Sequence, residues 1–387
     1  MLRAAGFRNS RRLPPVVPSR AVTARRLVLA ATALGAACLL SACGSGSPSG
    51  PAPNAQTYTV TAVVFYDQNG NGTLDGGEAI RIPDAEVQVA GRSGRSEKTT
   101  GRAAITGVPA GTHALAIRAD TLPPFYIQVA PVSITVPQTG DAGVPMSLPI
   151  GGNTPNLYMG FGDSITSGEG SRESDGYKSL LQAQLQGHFG GPVAVADEGL
   201  SGSKSDRGAE RIDDSLARVR PAFTLILYGT NDWNRLECKI NFPCFTIDSL
   251  RSIVRSVRAA HSLPFLATII PTNPAIALPE RNDWVAGMND LIRPLARQEG
   301  AVLVDLHAAF LKTGDLPGLF VDQVHPNDRG YGIIADEYWK AITRPASAST
   351  ADFAFLPLAG PWFLEPRGTR SDPDRTETHE PRVRSRR

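Results

Sequence analysis

The strongest constraint on this chain is an alternation in its second half. Apolar, strand-like runs stand at Leu157 to Phe161, Val193 to Ala196, Phe223 to Tyr228, Phe265 to Ile270 and Ala301 to Val304. Helical patterns lie between them. The clearest runs from Asp248 to Ala260 and puts Leu250, Ile253, Val254 and Val257 on one face. Strands that are apolar throughout must be covered on both sides, and strands separated by helices pair in parallel. The expected fold is a three-layer α/β/α sandwich around a parallel sheet, spanning residues 151–346. In such folds working residues gather at the carboxyl ends of the strands.

The 387 residues leave room for a second domain. Residues 57–150 read as a small all-β sandwich. Tyr58 to Tyr66 is β-branched and aromatic, Ala85 to Val89 and His113 to Ile117 alternate, and Tyr126 to Val129 and Val132 to Val136 follow. Turn signals at Gly91 to Gly94, Gly107 to Gly111 and Pro123-Pro124 separate these runs. Residues 148–155 read as a linker to the α/β domain.

Between the first two expected strands, oxygen-bearing side chains fall at Asp67, Asn69, Asn71, Thr73, Asp75 and Glu78, with a glycine at Gly72. This is close to the spacing of a calcium loop, in which glycine permits the sharp turn that lets oxygens converge on a hard cation. Here the loop joins strands rather than helices. The segment resembles calcium-binding immunoglobulin-like modules of bacterial surface proteins, which implies a structural calcium ion.

At the N-terminus a basic stretch ends at Arg25-Arg26, an apolar run follows from Leu27 to Leu40, and then comes Leu40-Ser41-Ala42-Cys43-Gly44. The run is short and rich in small residues, as in a signal peptide rather than a membrane span. The five residues resemble a bacterial lipoprotein signal. That implies removal of residues 1–42, lipidation of Cys43 and an exported, membrane-anchored protein. Residues 43–56 form a Gly/Ser/Pro linker. Residues 1–42 carry seven arginines and no acid, so the formal net charge of +2 becomes −5 without them. A chain of that sign gives no reason to expect nucleic acid as a partner. Of four cysteines, Cys238 and Cys244 remain as a close pair, expected to form a disulfide in an exported chain. Residues 347–387, without pattern and then charged and proline-rich, read as a disordered tail.

The chemistry lies at the strand ends. Gly162-Asp163-Ser164-Ile165 follows the first run, Asp197-Glu198-Gly199-Leu200-Ser201-Gly202 the second, Gly229-Thr230-Asn231-Asp232 the third, and Asp322-Gln323-Val324-His325-Pro326 lies beyond the last. Serine needs a base to become a nucleophile, and imidazole titrates near neutrality. Asp322, three residues before His325, can orient the ring. His307, after Asp305, is a second candidate base, although no proline-bounded loop follows it. Asp163 and Asp232 read as turn-holding carboxylates.

These four blocks, in this order, resemble those of the SGNH (GDSL) hydrolase family, over about half the chain. The second block of that family usually opens with Asn, where this chain has Asp197. The resemblance implies a flavodoxin-like α/β/α fold and a serine esterase working through an acyl-serine. Ser164, Asp322 and His325 would be catalytic, with Ser164, Gly202 and Asn231 as the oxyanion donors and no catalytic cofactor. Small or carbohydrate-linked esters are the expected substrates, a lipase or lysophospholipase the alternative on longer chains. From another class, an adhesin whose β module binds glycan or protein also fits the order of domains.

Overall fold

The computed structural model describes residues 56–344. The expected signal peptide, Cys43, most of the first linker and the tail lie outside the described residues.

The β part has seven strands: β1 (Thr57–Tyr66), β2 (Glu86–Val89), β3 (Arg92–Arg95), β4 (Arg102–Pro109), β5 (Gly111–Ile117), β6 (Val132–Val136) and β7 (Ala142–Met146). They form a three-stranded sheet, β4-β1-β7, and a four-stranded sheet, β3-β2-β5-β6. Val60, Ala62 and Val64 of the first sheet and Val87, Leu115 and Val136 of the second share one buried core.

Two expectations change here. Gly91 to Gly94 is not all turn. Ala90 and Gly91 both have positive φ, 47° and 72°, and Val89 pairs with Arg92 across them. That two-residue turn matches the twist of a hairpin and recruits Arg92–Arg95 as a strand, although it has no β-branched residue. Tyr126 to Val129 is not a strand. Phe125 has φ 71°, and only Ile127 forms an isolated bridge, to Ser147. The aromatic residues there are used for packing instead.

The α/β part contains β8 (Thr154–Gly162), α1 (Ser164–Ser167), α2 (Lys178–Phe189), β9 (Ala194–Gly199), α3 (Ser205–Val219), β10 (Pro221–Leu227), α4 (Leu236–Ile240), α5 (Thr246–Ala259), β11 (Leu263–Ala267), α6 (Pro279–Gln298), β12 (Val302–Val304), α7 (Leu306–Lys312) and α8 (Asp328–Thr343). The sheet runs β12-β11-β10-β8-β9, every pairing parallel. Side chains alternate across it. Tyr158, Phe223, Leu225, Phe265 and Val304 pack with residues of α2, α7 and α8, while Met159, Phe161, Ile226 and Leu266 pack with α3, α5 and α6. This is the expected three-layer α/β/α sandwich with a parallel sheet.

Strand order reverses at β8, whose neighbours are β9 and β10. The crevice beyond their carboxyl ends is where a fold of this kind holds its ligand.

The β part packs against the α/β part. Tyr126 meets Phe189 with ring centroids 6.4 Å apart, Phe125 meets Phe265 edge-on at 5.9 Å, and the Arg81 N–H donates to the Phe189 carbonyl at 2.8 Å. The segment after β7 closes in a short turn, with the Asn153 N–H donating to the Ile150 carbonyl at 3.1 Å, and enters β8 directly.

Candidate active site

Ser164 is the first residue of α1, at the turn where β8 ends. Asp163 caps that helix, its carboxylate accepting the Ile165 N–H at 3.0 Å. The turn is tight because Gly162 has no Cβ: one would lie 2.1 Å from Thr166 Oγ1 and 2.4 Å from the Leu227 carbonyl oxygen. The far end of α1 is held by Lys178, which is buried. Its Nζ donates to the carbonyls of Thr166 (2.6 Å) and Ser167 (3.1 Å) and lies 3.4 Å from Asp197 Oδ2. Asp197, where Asn is usual in the resembled family, is therefore the counterion of a buried ammonium.

The structure brings three of the expected residues into one hydrogen-bonded chain. His325 Nε2 stands 2.9 Å from Ser164 Oγ, and His325 Nδ1 stands 2.7 Å from Asp322 Oδ2. The other oxygen of Asp322 accepts the N–H groups of Val324 and His325, both at 2.8 Å. Partial burial pushes the Asp322 carboxyl up, but the ring and these two N–H groups outweigh it and hold it below the usual carboxylate range. The loop is anchored at both ends. The Val321 N–H donates to the His325 carbonyl, and the Asn327 side chain caps α8.

The second and third blocks are laced to the first. The Leu200 N–H donates to the Gly162 carbonyl at 3.0 Å, and the Asn231 amide donates to the Ser203 carbonyl at 3.2 Å. Gly202 has φ +70°, the left-handed region that favours glycine, and faces open space. Asp232 is buried under them, accepting from the Ser205 N–H (2.9 Å), the Ser205 hydroxyl (2.6 Å) and the Thr246 hydroxyl (2.8 Å). Burial raises its pKa. Asp163 is also fully buried, and burial pushes its carboxyl up to about 7. Both carboxylates hold turns, as their sequence context suggests.

His307 is not part of this cluster. It is buried, which lowers its pKa, and its neighbour Asp305 is committed elsewhere. Asp305 caps α7 through the Ala308 N–H and pairs with Arg293 at 2.8 Å.

Two residues at the site carry no motif. Glu169 places Oε2 3.1 Å from His325 Nε2. Arg281 is buried at the start of α6, donates to the Thr230 carbonyl at 2.9 Å and faces the Asp322 charge, while burial lowers its pKa. The flanking glycines Gly168 and Gly170 are the only sequence signal for the first, and nothing in the sequence marks the second.

Cys238 and Cys244 form a disulfide, and the Trp284 indole donates to the Cys238 carbonyl at 3.0 Å. In the connections that follow β10, β11 and β12, Leu236 and Ile240 of α4 and Phe242, Ile276, Leu278 and Val321 are exposed.

In the loop at residues 67–78, the oxygens that the spacing assigns to a cation accept the loop's own N–H groups. Asp67 accepts from Gly70 and Gly72, and Glu78 from Gln68 and Asp75. The side-chain amides of Asn69 and Asn71 converge on Asp75 Oδ2 at 2.8 and 2.7 Å. The turns at Asn69 and Asn71 are Asx turns, their Oδ1 atoms accepting the N–H two residues on. Among the described residues no three His, Cys, Asp or Glu side chains stand together as a metal-binding group.

Residues 161–333 match the model of the GDSL-like Lipase/Acylhydrolase family. Thioesterase 1/protease 1/lysophospholipase L1 of Escherichia coli (strain K12) is 30% identical over 115 residues, 29% of this chain and 51% of the relative. The chain thus spans about half the length of the curated relative it matches. Among solved structures, an α/β hydrolase from the metagenome of Lake Arreo, Spain, is similar at 24% identity and TM-score 0.42, covering 49% of this chain and 96% of that one. An acetylxylan esterase from Geobacillus stearothermophilus is similar at 22% identity and TM-score 0.42, covering 49% and 95%.

Proposed function

We propose that the α/β domain, matched by the GDSL-like family, hydrolyses carboxylic esters through an acyl-serine. The observation that carries this reading is the unbroken chain from Asp322 through His325 to Ser164. Ser164 Oγ attacks the ester carbonyl while His325 Nε2 takes its proton. Asp322 fixes the tautomer, with the proton on Nδ1, and balances the imidazolium that forms. The backbone N–H groups of Ser164 and Gly202 and the Asn231 amide receive the oxyanion. His325 then returns its proton to the alcohol. Water, activated by the same base, attacks the acyl-serine and frees the acid. No step calls for a cofactor. The experiment is hydrolysis of a short aryl acetate: Ser164→Ala and His325→Ala each lower kcat/KM by about 10⁴-fold or more. Turnover retained in either removes the assignment.

Small or carbohydrate-linked acyl esters are the preferred substrates, which a panel varying acyl length and alcohol would test. The exposed apolar side chains on the rim support a second reading, a lipase or lysophospholipase, and rising kcat/KM with acyl length would favour it. The β module is read as a spacer carrying structural calcium in the 67–78 loop. Asp67, Asn69, Asn71, Thr73, Asp75 and Glu78 would hold the ion, and calcium-dependent melting of the whole chain checks it. An adhesin role would show as glycan or cell-wall binding that survives Ser164→Ala. Export and anchoring through Cys43 follow from the signal-like N-terminus. Release from the membrane fraction by Cys43→Ala checks that.

A further inference from the structure

Glu169 sits between two glycines whose backbone is in a region that favours glycine. Gly168 and Gly170 have φ +103° and +95°, and a Cβ at Gly170 would lie 2.5 Å from the Pro326 carbonyl oxygen. Its own backbone is tied at both ends. The Glu169 N–H donates to the Ser164 carbonyl at 3.0 Å, and the Tyr331 hydroxyl donates to the Glu169 carbonyl at 2.7 Å. The side chain is nevertheless 46% exposed and lies against the catalytic ring. One oxygen, Oε1, accepts the Ser201 hydroxyl. The other, Oε2, lies 3.1 Å from His325 Nε2, the same nitrogen that stands 2.9 Å from Ser164 Oγ.

That nitrogen is where the leaving alcohol must go. For His325 to protonate it, the ester's alcohol oxygen has to come within hydrogen-bond reach of Nε2, roughly 2.6–3.2 Å. The first carbons of the alcohol then pass beside Glu169 Oε2. A carboxylate is an acceptor only. It is satisfied by a hydroxyl carried next to the ester oxygen. An ether or a bare hydrocarbon there strips water from it and offers nothing in exchange. Ser201 already shows a hydroxyl seated on the companion oxygen.

We propose that Glu169 is a specificity residue for the leaving group, and that with Ser201 it selects esters of polyols bearing a free hydroxyl beside the acylated oxygen. The inference rests on the esterase reading above and adds the alcohol side of the substrate to it. Anionic groups at the same place are repelled, because Glu169 and Asp322 both face this ring.

The test uses the full chain and two matched acetates, 2-hydroxyethyl acetate and 2-methoxyethyl acetate, with a short aryl acetate as reference. The wild-type protein turns over the hydroxyl ester with a kcat/KM about tenfold above that of its methyl ether, as expected for one hydrogen bond to a charged group. In Glu169→Leu the ratio falls to about one, and in Glu169→Gln it falls part of the way. A wild-type ratio near one overturns the proposal without reference to any variant, as does a full preference in Glu169→Leu. If the wild-type protein cleaves none of the three esters, the esterase reading itself fails. Cleavage of all three without discrimination removes only the role of Glu169.

Discussion

At the residue scale, the site combines carboxylates with opposite environments. Asp322 is partly exposed, accepts three hydrogen bonds and is held ionised. Asp163 lies next to Ser164, fully buried, with one oxygen accepting the Ile165 N–H and the other without a partner. Burial raises it from the ordinary 3.8 to about 7. A carboxyl raised in the folded state keeps a proton that the unfolded chain has released. Asp163 therefore costs the native state stability as pH rises from about 4 to 7. Asp163→Asn keeps an oxygen for Ile165 and removes that titration. Its unfolding free energy, measured against wild type by urea melts, is expected to gain across this window. A difference that stays constant with pH would refute the buried, protonated carboxyl. The proximity of Ser164, His325 and Asp322 was legible because Ser164 sits in a short block at a strand end and Asp322 and His325 share one short block before α8. Glu169 was not legible. Its meaning comes from proximity to His325, and a Gly-Glu-Gly triplet by itself reads as a polar turn.

At the element scale, the strands of the parallel sheet were readable because burial on both faces demands unbroken apolar runs, as in Phe223 to Tyr228. Arg92–Arg95 was not, since a turn and a partner strand make it a strand despite its composition. Tyr126 to Val129 misled for the converse reason: its aromatic, β-branched composition serves packing onto Phe189 and Tyr66 rather than pairing. The turn that presents Ser164 depends on a neighbouring helix. Lys178, first residue of α2, satisfies the last carbonyls of α1 and is itself neutralised by Asp197. Lys178→Met leaves those buried carbonyls without donors. It is expected to cost about 1–3 kcal/mol of stability and to lower kcat more than it raises KM, read by thermal melts and aryl-ester kinetics. Unchanged stability and unchanged kcat would show that the turn holds its shape without that ammonium.

At the scale of the whole molecule, the β part does more than precede the α/β part in the chain. Tyr126 is buried against Phe189 of α2, and Phe125, partly buried, meets Phe265 of β11. An aromatic interface of this kind couples the two parts energetically. Calorimetry of the intact chain is expected to show one transition, lowered in Tyr126→Ala by the loss of about 3–5 kcal/mol and raised by calcium if the 67–78 loop binds it. Two separate transitions, only one of which moves in Tyr126→Ala, would mean that the parts are independent. The sequence pattern could not reveal this contact, because Phe125-Tyr126, Phe189 and Phe265 lie in three separate segments that only the tertiary fold assembles. The order of parts still leaves the candidate site at the reversal of strand order, so the central claim can be tested there alone. The most direct measurement is rapid-quench mass spectrometry of the protein mixed with a short aryl acetate. The account predicts an acetyl group on the peptide bearing Ser164, formed in a burst, and absent in Ser164→Ala. Aryl-ester hydrolysis that continues in Ser164→Ala, or an acetyl group trapped on another residue with Ser164 unmodified, would contradict it.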